Sequence, residues 1–418
     1  MNTFQLVSLV IFLVAVFGYV NYRFIRLPDA IGITAVATVA SLISLGAQQL
    51  YPGLTDGLGD AMARIRFPEL LLHGLLGVLL FAGSMHIRMG AILAEKWQVI
   101  PLATIGVVLS TMLVGAGFWL LCRAAGESLP AIWCLVFGAL ISPTDPVAVV
   151  AILKRAGVPE SLETRISGES LFNDGTGVVA FITLLGVASS PDSFDLGHTL
   201  LLFLREVLGG LAFGLGAGYA GFLLLRAVDS YAVEIMITLA LATAGYAAAE
   251  ALSVSAPIAV ACMGLLVGNR AKEEAMSDKT RERLFGFWSV LDELLNLLLF
   301  GLIGLQMLLL PLSHAGIAAA AVAIVLAARF LSIVAPILGT PRLREVARVT
   351  LPVMTWGGLR GGISIALALS LPAFDGRDIL LSATYAAVIF SILIQAPTLG
   401  WLAKRRLDRQ RDIEAQHS

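Results

Sequence analysis

Long apolar stretches follow one another along nearly the whole chain, parted by short polar turns. They lack the strict two-residue alternation of a membrane β-strand, and most reach the roughly 20 residues a helix needs to cross a bilayer. The pattern predicts an all-α polytopic membrane protein with about thirteen transmembrane helices. These lie near residues 4–21, 28–48, 68–87, 98–122, 130–152, 164–188, 199–225, 231–249, 254–269, 285–309, 314–337, 348–371 and 379–403. The longer stretches fit by tilting. No span is followed by a soluble domain, so residues 1–403 read as a single transmembrane domain and residues 404–418 as a short cytoplasmic tail.

Charge supports this division and orients it. Only four residues precede the first stretch at Gln5, none of them basic, and Arg23 and Arg26 come after it. A cleaved signal peptide has the opposite polarity, so this is a retained span with its N-terminus outside. Alternating the loops from there puts Arg88, Lys96, Lys154, Arg155, Arg226, Arg270 and most other basic residues inside. Arg64, Arg66, Arg123 and Arg377 fall outside, and Arg205, Arg329 and Arg360 fall within spans. So lopsided a division follows the positive-inside rule and places the C-terminus in the cytoplasm. Composition agrees: 58% of the 418 residues are hydrophobic and 14% charged, against about 25% charged in a soluble domain. The net charge of −1 points to no nucleic-acid partner. Cys122, Cys134 and Cys262 lie in apolar stretches and read as packing residues, with no metal-ligand or disulfide spacing.

Against this apolar background a few polar residues stand out. The fifth span contains Ser142-Pro143-Thr144-Asp145-Pro146. Pro143 and Pro146 each remove a backbone donor and clash with the preceding turn, so the helix breaks and frees carbonyls near 139–142. Lipid cannot satisfy those groups. The carbonyls, the Thr144 hydroxyl and the Asp145 carboxylate are hard oxygen ligands suited to a hard cation. In the sixth span, Gly168-Glu169-Ser170-Leu171-Phe172-Asn173-Asp174-Gly175 sets Glu169 with Asn173, and Ser170 with Asp174, on shared faces. A carboxylate at this depth is expensive and marks a functional site. In low dielectric it accepts a proton readily, so Asp174 is expected to hold a proton and a cation by turns. The twelfth span carries Gly357-Gly358-Leu359-Arg360-Gly361-Gly362, glycines that loosen a helix and admit another backbone. A buried guanidinium calls for a carboxylate. Glu169 is the expected partner of Arg360, since Asp174 must stay free. The two weakened spans are an odd number apart and cross in opposite directions, the relation that inverted repeats with broken helices meeting at mid-membrane produce. Asp292, Glu293 and Asn296 read as structural, Glu234 and Glu250 as wetted span ends, and Arg329 has no assigned role.

Pro-Thr-Asp-Pro at 143–146, Gly-Glu-Ser-Leu-Phe-Asn-Asp-Gly at 168–175 and Gly-Gly-Leu-Arg-Gly-Gly at 357–362, in this order, resemble the NhaP-type sodium/proton antiporters, bacterial relatives of the animal exchangers. The resemblance spans essentially the whole membrane domain. It implies a homodimer in the bacterial inner membrane working by alternating access. It also implies sodium bound at Asp174 and Asp145 with help from Ser170, Thr144 and Asn173, and a bracing Glu169–Arg360 ion pair. Asn173-Asp174 resembles the pair of the electroneutral branch, which implies one cation exchanged for one proton. Many relatives have an acidic residue in the third span where this chain has Ala82. The expected function is therefore monovalent cation/proton antiport rather than enzyme catalysis. It needs no cofactor beyond the transported sodium, with potassium or lithium as alternatives, and its surroundings are membrane lipid. The competing classes are a cation channel or sensor of the same fold, and an intramembrane aspartyl protease using Asp60 in Gly57-Leu58-Gly59-Asp60.

Overall fold

The computed structural model describes residues 2–50, 65–190, 195–309, 314–339 and 350–417. The segment with Asp60 lies outside these residues, as do Arg64 and the basic stretch with Arg342, Arg344 and Arg348. The main helices are α1 (Thr3–Val20), α2 (Asp29–Leu50), α3 (Leu76–Met85), α4 (Lys96–Ala103), α5 (Ile105–Ala124), α6 (Ala131–Ile141), α7 (Pro146–Ala156) and α8 (Glu160–Ser189). They continue as α9 (Leu196–Arg226), α10 (Tyr231–Ala251), α11 (Ala256–Leu266), α12 (Asp278–Leu305), α13 (Ala315–Gly339), α14 (Gly362–Leu369), α15 (Arg377–Phe390) and α16 (Ala396–His417). No β-strand occurs among the described residues.

Among these residues ten helical segments are long and apolar enough to cross a bilayer, eleven if α6 and α7, bent by 43°, count as one broken span. The other two of the thirteen expected spans do not meet that test. The ninth is only the 11-residue α11, prolonged by a π-helical turn at Val267–Ala271. The twelfth is interrupted at 357–361, between the helical stretch 350–356 and α14. The fourth span also divides, between α4 and α5 at Thr104, downstream of Pro101. Thr176 on α8 donates to the Ala103 carbonyl there, 2.7 Å away. A single proline in an apolar run did not announce that division.

Packing sets some helices at the centre and others at the edge. Most residues in the apolar stretch of the span made by α15 and α16 are buried, and over half in that of α8, against about a fifth in that of α1. α8 touches α4, α6, α7, α9 and α11, and α12 lies along α1 and α2. Exposed Phe4, Ile11 and Phe12 on α1, with Leu201, Leu208 and Leu224 on α9, make an apolar outer surface, as expected where lipid is the solvent. Glu234, read from the sequence as wetted, is fully buried, because the first turn of α10 presents it inward. Glu250 instead meets His73 in an exposed pair at 2.9 Å. The three cysteines are buried.

Candidate functional site

The two interrupted spans meet at their breaks. Pro143 and Pro146 stop α6 at Ile141 and restart the chain as α7, with Pro146 in the first helical turn, where its missing N–H costs nothing. Asp145 caps α7: its Oδ1 accepts from the Val147 amide at 2.9 Å. Its own amide donates to the Leu359 carbonyl in the other break, also at 2.9 Å. This link joins the two unwound segments backbone to backbone.

Gly361 permits that approach, since a Cβ built on it would lie 2.4 Å from Asp145 Oδ2. The Asp145 carboxylate thus lies against the starts of both α7 and α14.

The arginines correct the sequence reading. Arg360 is 1% exposed and forms no salt bridge among the described residues. Its Nη1 donates to the Ser142 carbonyl at 2.6 Å and to the Pro143 carbonyl at 3.0 Å. The expected Glu169–Arg360 pair is therefore absent. The proline break supplies bare carbonyls at the negative end of α6, and these take the Nη1 donor without a carboxylate, while Nε has no partner among the described residues. Glu169 is paired instead with Arg329 of α13, which grips both carboxylate oxygens: Nη1 to Oε1, and Nη2 to Oε2 at 3.0 Å. Arg329 Nη2 also donates to the Met354 carbonyl at 3.3 Å, just before the second break. Gly358 lies over the same guanidinium, and a Cβ on it would come within 2.5 Å of Arg329 Nε. Each break thus has an arginine on its carbonyls. Arg329 was the residue that sequence reasoning missed. Its one visible signal was a charge inside an otherwise apolar span.

The predicted polar residues divide into two groups. Thr144, Ser170 and Asn173 form a closed, buried set. The Thr144 amide donates to Asn173 Oδ1 at 3.3 Å, Asn173 Nδ2 donates to Thr144 Oγ1 at 2.7 Å, and the Thr144 and Ser170 hydroxyls are 3.0 Å apart. Asp174, Asp145 and Thr144 line a cavity of about 470 Å³, together with Pro143, Pro146, Gly361 and Gly362. Ser170 and Asn173 are not among its lining residues and lie behind Thr144. Exposed His86 and Lys154 also line the cavity, so it reaches the surface.

Asp174 differs from its neighbours. It is 6% exposed, and its Oδ1 has no hydrogen-bond partner. Asp292 and Asn296 of α12 line the same cavity, with Asn296 Nδ2 donating to Asp292 Oδ1 at 3.1 Å. The sequence reading put a structural hydrogen bond ahead of ion passage for those two; the bond is present, and the fold also places both on the cavity wall. Ala82 is fully buried against Phe81 and Trp288, and only its carbonyl takes part nearby, accepting from His86 Nδ1 at 2.8 Å.

A water-reached cavity, a buried carboxylate with an open oxygen and two crossed helix breaks are the parts of an ion-carrying site, and comparison with known proteins agrees. The family model described as sodium/hydrogen exchanger, transmembrane, matches residues 10–405. The chain belongs to the sodium/hydrogen exchanger family. Members of this family are transporters, not enzymes. The exchanger-family chain is 46% identical over 408 residues to the Na+/H+ antiporter NhaP of Pseudomonas aeruginosa, covering 96% of each protein. It is 33% identical to the Na+/H+ antiporter NhaH of Halobacillus dabanensis, covering 92% of this chain and 93% of that one. Its fold matches the solved sodium/proton antiporter MjNhaP1 of Methanocaldococcus jannaschii with a TM-score of 0.74 at 18% identity, over 97% of this chain and 100% of that one.

Proposed function

We propose that this protein exchanges a monovalent cation, sodium, for a proton by alternating access, with Asp174 carrying each in turn. The observation that carries this reading is the unpartnered carboxylate oxygen of Asp174 on the cavity wall. A bare carboxylate is costly in low dielectric, and a bound proton or a bound cation each relieves that cost. The empty anionic site resists being closed off, whereas either loaded form is neutral and passes between the two accessible states. Coupling follows from that difference, because the site changes sides only when loaded.

Asp145 is already engaged as the cap of α7 and packed against the second break, whereas Asp174 has the unpartnered oxygen, so Asp174 is the single exchangeable acid. One cation against one proton is the resulting stoichiometry. The cation and proton sites coincide at Asp174. Asp145 holds the crossing in shape and adds field, and Thr144, braced by Asn173 and Ser170, offers a further oxygen. The bundle of apolar helices and the bacterial relatives support placement in a bacterial plasma membrane. The basic loops support an external N-terminus and a cytoplasmic C-terminus, so the cavity with His86 and Lys154 at its mouth faces the cytoplasm. The apolar outer surfaces of α1 and α9 offer themselves to lipid or to the second copy of a homodimer.

Proteoliposomes loaded with a pH-sensitive dye test the reading. Adding sodium, potassium or lithium outside is expected to drive proton movement in the wild type, with sodium effective. In Asp174→Asn it falls to the protein-free baseline, a loss of about 100-fold or more. Undiminished flux in that variant, or a conductance that dissipates gradients without coupling them, overturns it.

A further inference from the structure

One more oxygen on the cavity wall has no part in the scheme above. Ser364 lies in the first turn of α14, directly after the second break. It is 1% exposed and lines the cavity with Asp145 and Asp174.

Several serines in or just past helices return the hydroxyl to a carbonyl three residues back: Ser84 to Phe81, Ser332 to Arg329 and Ser370 to Leu367. This is the ordinary local bond of a helical serine. The Ser364 hydroxyl makes no such bond and has no partner at all. A buried hydroxyl left unbonded costs about 1–3 kcal/mol, a cost that an occupant of the cavity would offset.

Two buried side-chain oxygens on this wall lack partners among the described residues, Asp174 Oδ1 and Ser364 Oγ. Thr144 and Ser170, the hydroxyls expected from the sequence, are engaged with each other and with Asn173.

We propose that Ser364 is a ligand for the transported cation, its hydroxyl oxygen completing the shell that Asp174 begins from the neighbouring helix. This rests on the reading that Asp174 is the exchange site. A neutral hydroxyl is a hard oxygen donor, matched to a small alkali cation. A proton needs one acceptor, whereas a cation needs several at set distances, so Ser364 acts on the cation branch of the cycle. It also discriminates among cations by size, because α14 fixes its distance from Asp174.

The experiment uses the intact protein in proteoliposomes and measures proton flux against sodium, lithium and thallium(I) concentration at one pH. Ser364→Ala is expected to raise KM for sodium about tenfold, the worth of one bond to a charged group, with kcat changed less than about twofold. Ser364→Thr retains the oxygen and stays near wild type. Ser364→Cys keeps the shape but offers a soft sulfur, and shifts preference from sodium toward thallium(I) by a similar factor.

Ser364→Ala with wild-type KM overturns the proposal, as does a loss of kcat equal for every cation at unchanged KM. If Ser364→Ala does not fold, an unchanged sodium-to-thallium ratio in Ser364→Cys overturns it equally. Absence of sodium-driven flux in the wild type defeats the underlying exchange reading instead, so the two failures are distinguishable.

Discussion

Glu169 and Asp174 lie just over one helical turn apart on α8, both buried, yet they live in opposite circumstances. Glu169 is held through both oxygens by Arg329, which also ties down the Met354 carbonyl. Asp174 has an oxygen with no partner and a cavity in front of it. Burial alone therefore does not mark the working acid. A satisfied charge is a brace, because moving it would expose its partner. An unsatisfied one is a vacancy for something that comes and goes.

The comparison breaks most easily at the brace. Arg329→Ala leaves the Glu169 carboxylate alone in the interior and is expected to cost about 3–5 kcal/mol. The measurement is thermal unfolding in detergent, and the double variant Glu169→Ala with Arg329→Ala should lose less than the two single changes summed. Asp174→Asn, by contrast, replaces an unpaired buried acid with a neutral group of the same shape and should leave stability unchanged or raised even as transport stops. Equal destabilisation by Arg329→Ala and Asp174→Asn would show that the two acids are not different in kind.

A smaller effect is expected at Gly358, where an added methyl meets the Arg329 guanidinium at 2.5 Å. Gly358→Ala should lower stability by about 1–3 kcal/mol through forced repacking, detectable in the same unfolding assay. Normal stability there would mean that the brace is looser than its geometry implies. The smallest effect belongs to Asp292, which lines the same cavity as Asp174 and keeps a local partner in Asn296. Asp292→Asn should raise KM for sodium about two- to threefold, and inert salt should shrink the difference, because a charge near water acts through a screened field. An effect as large as that of Asp174→Asn would make Asp292 a second exchange acid.

The breaks themselves were legible because helix breakers act locally. Two prolines around Thr144-Asp145, and four glycines around Leu359-Arg360, disrupt a helix whatever packs against it. The interruption at Thr104 was not legible in the same way. Pro101 stands alone there, and the carbonyl of Ala103 is settled by Thr176 from a distant helix. Ser364 was equally silent, since a serine in an apolar span is ordinarily bonded to its own helix and only the coordinates show the bond missing.

By itself the sequence determined that the chain is a bundle of membrane helices, that two of them are broken, and which residues stand at the breaks. Each of these follows from apolar length, backbone chemistry and the cost of charge in lipid, quantities that depend on near neighbours in the chain. Tertiary structure alone decided the pairing of arginines with their partners. Arg360 and Arg329 both enter spans as buried cations, and nothing local distinguishes the one that meets a carboxylate from the one that meets two carbonyls. The choice depends on which freed backbone groups the crossing brings within reach, and those carbonyls belong to every residue type alike.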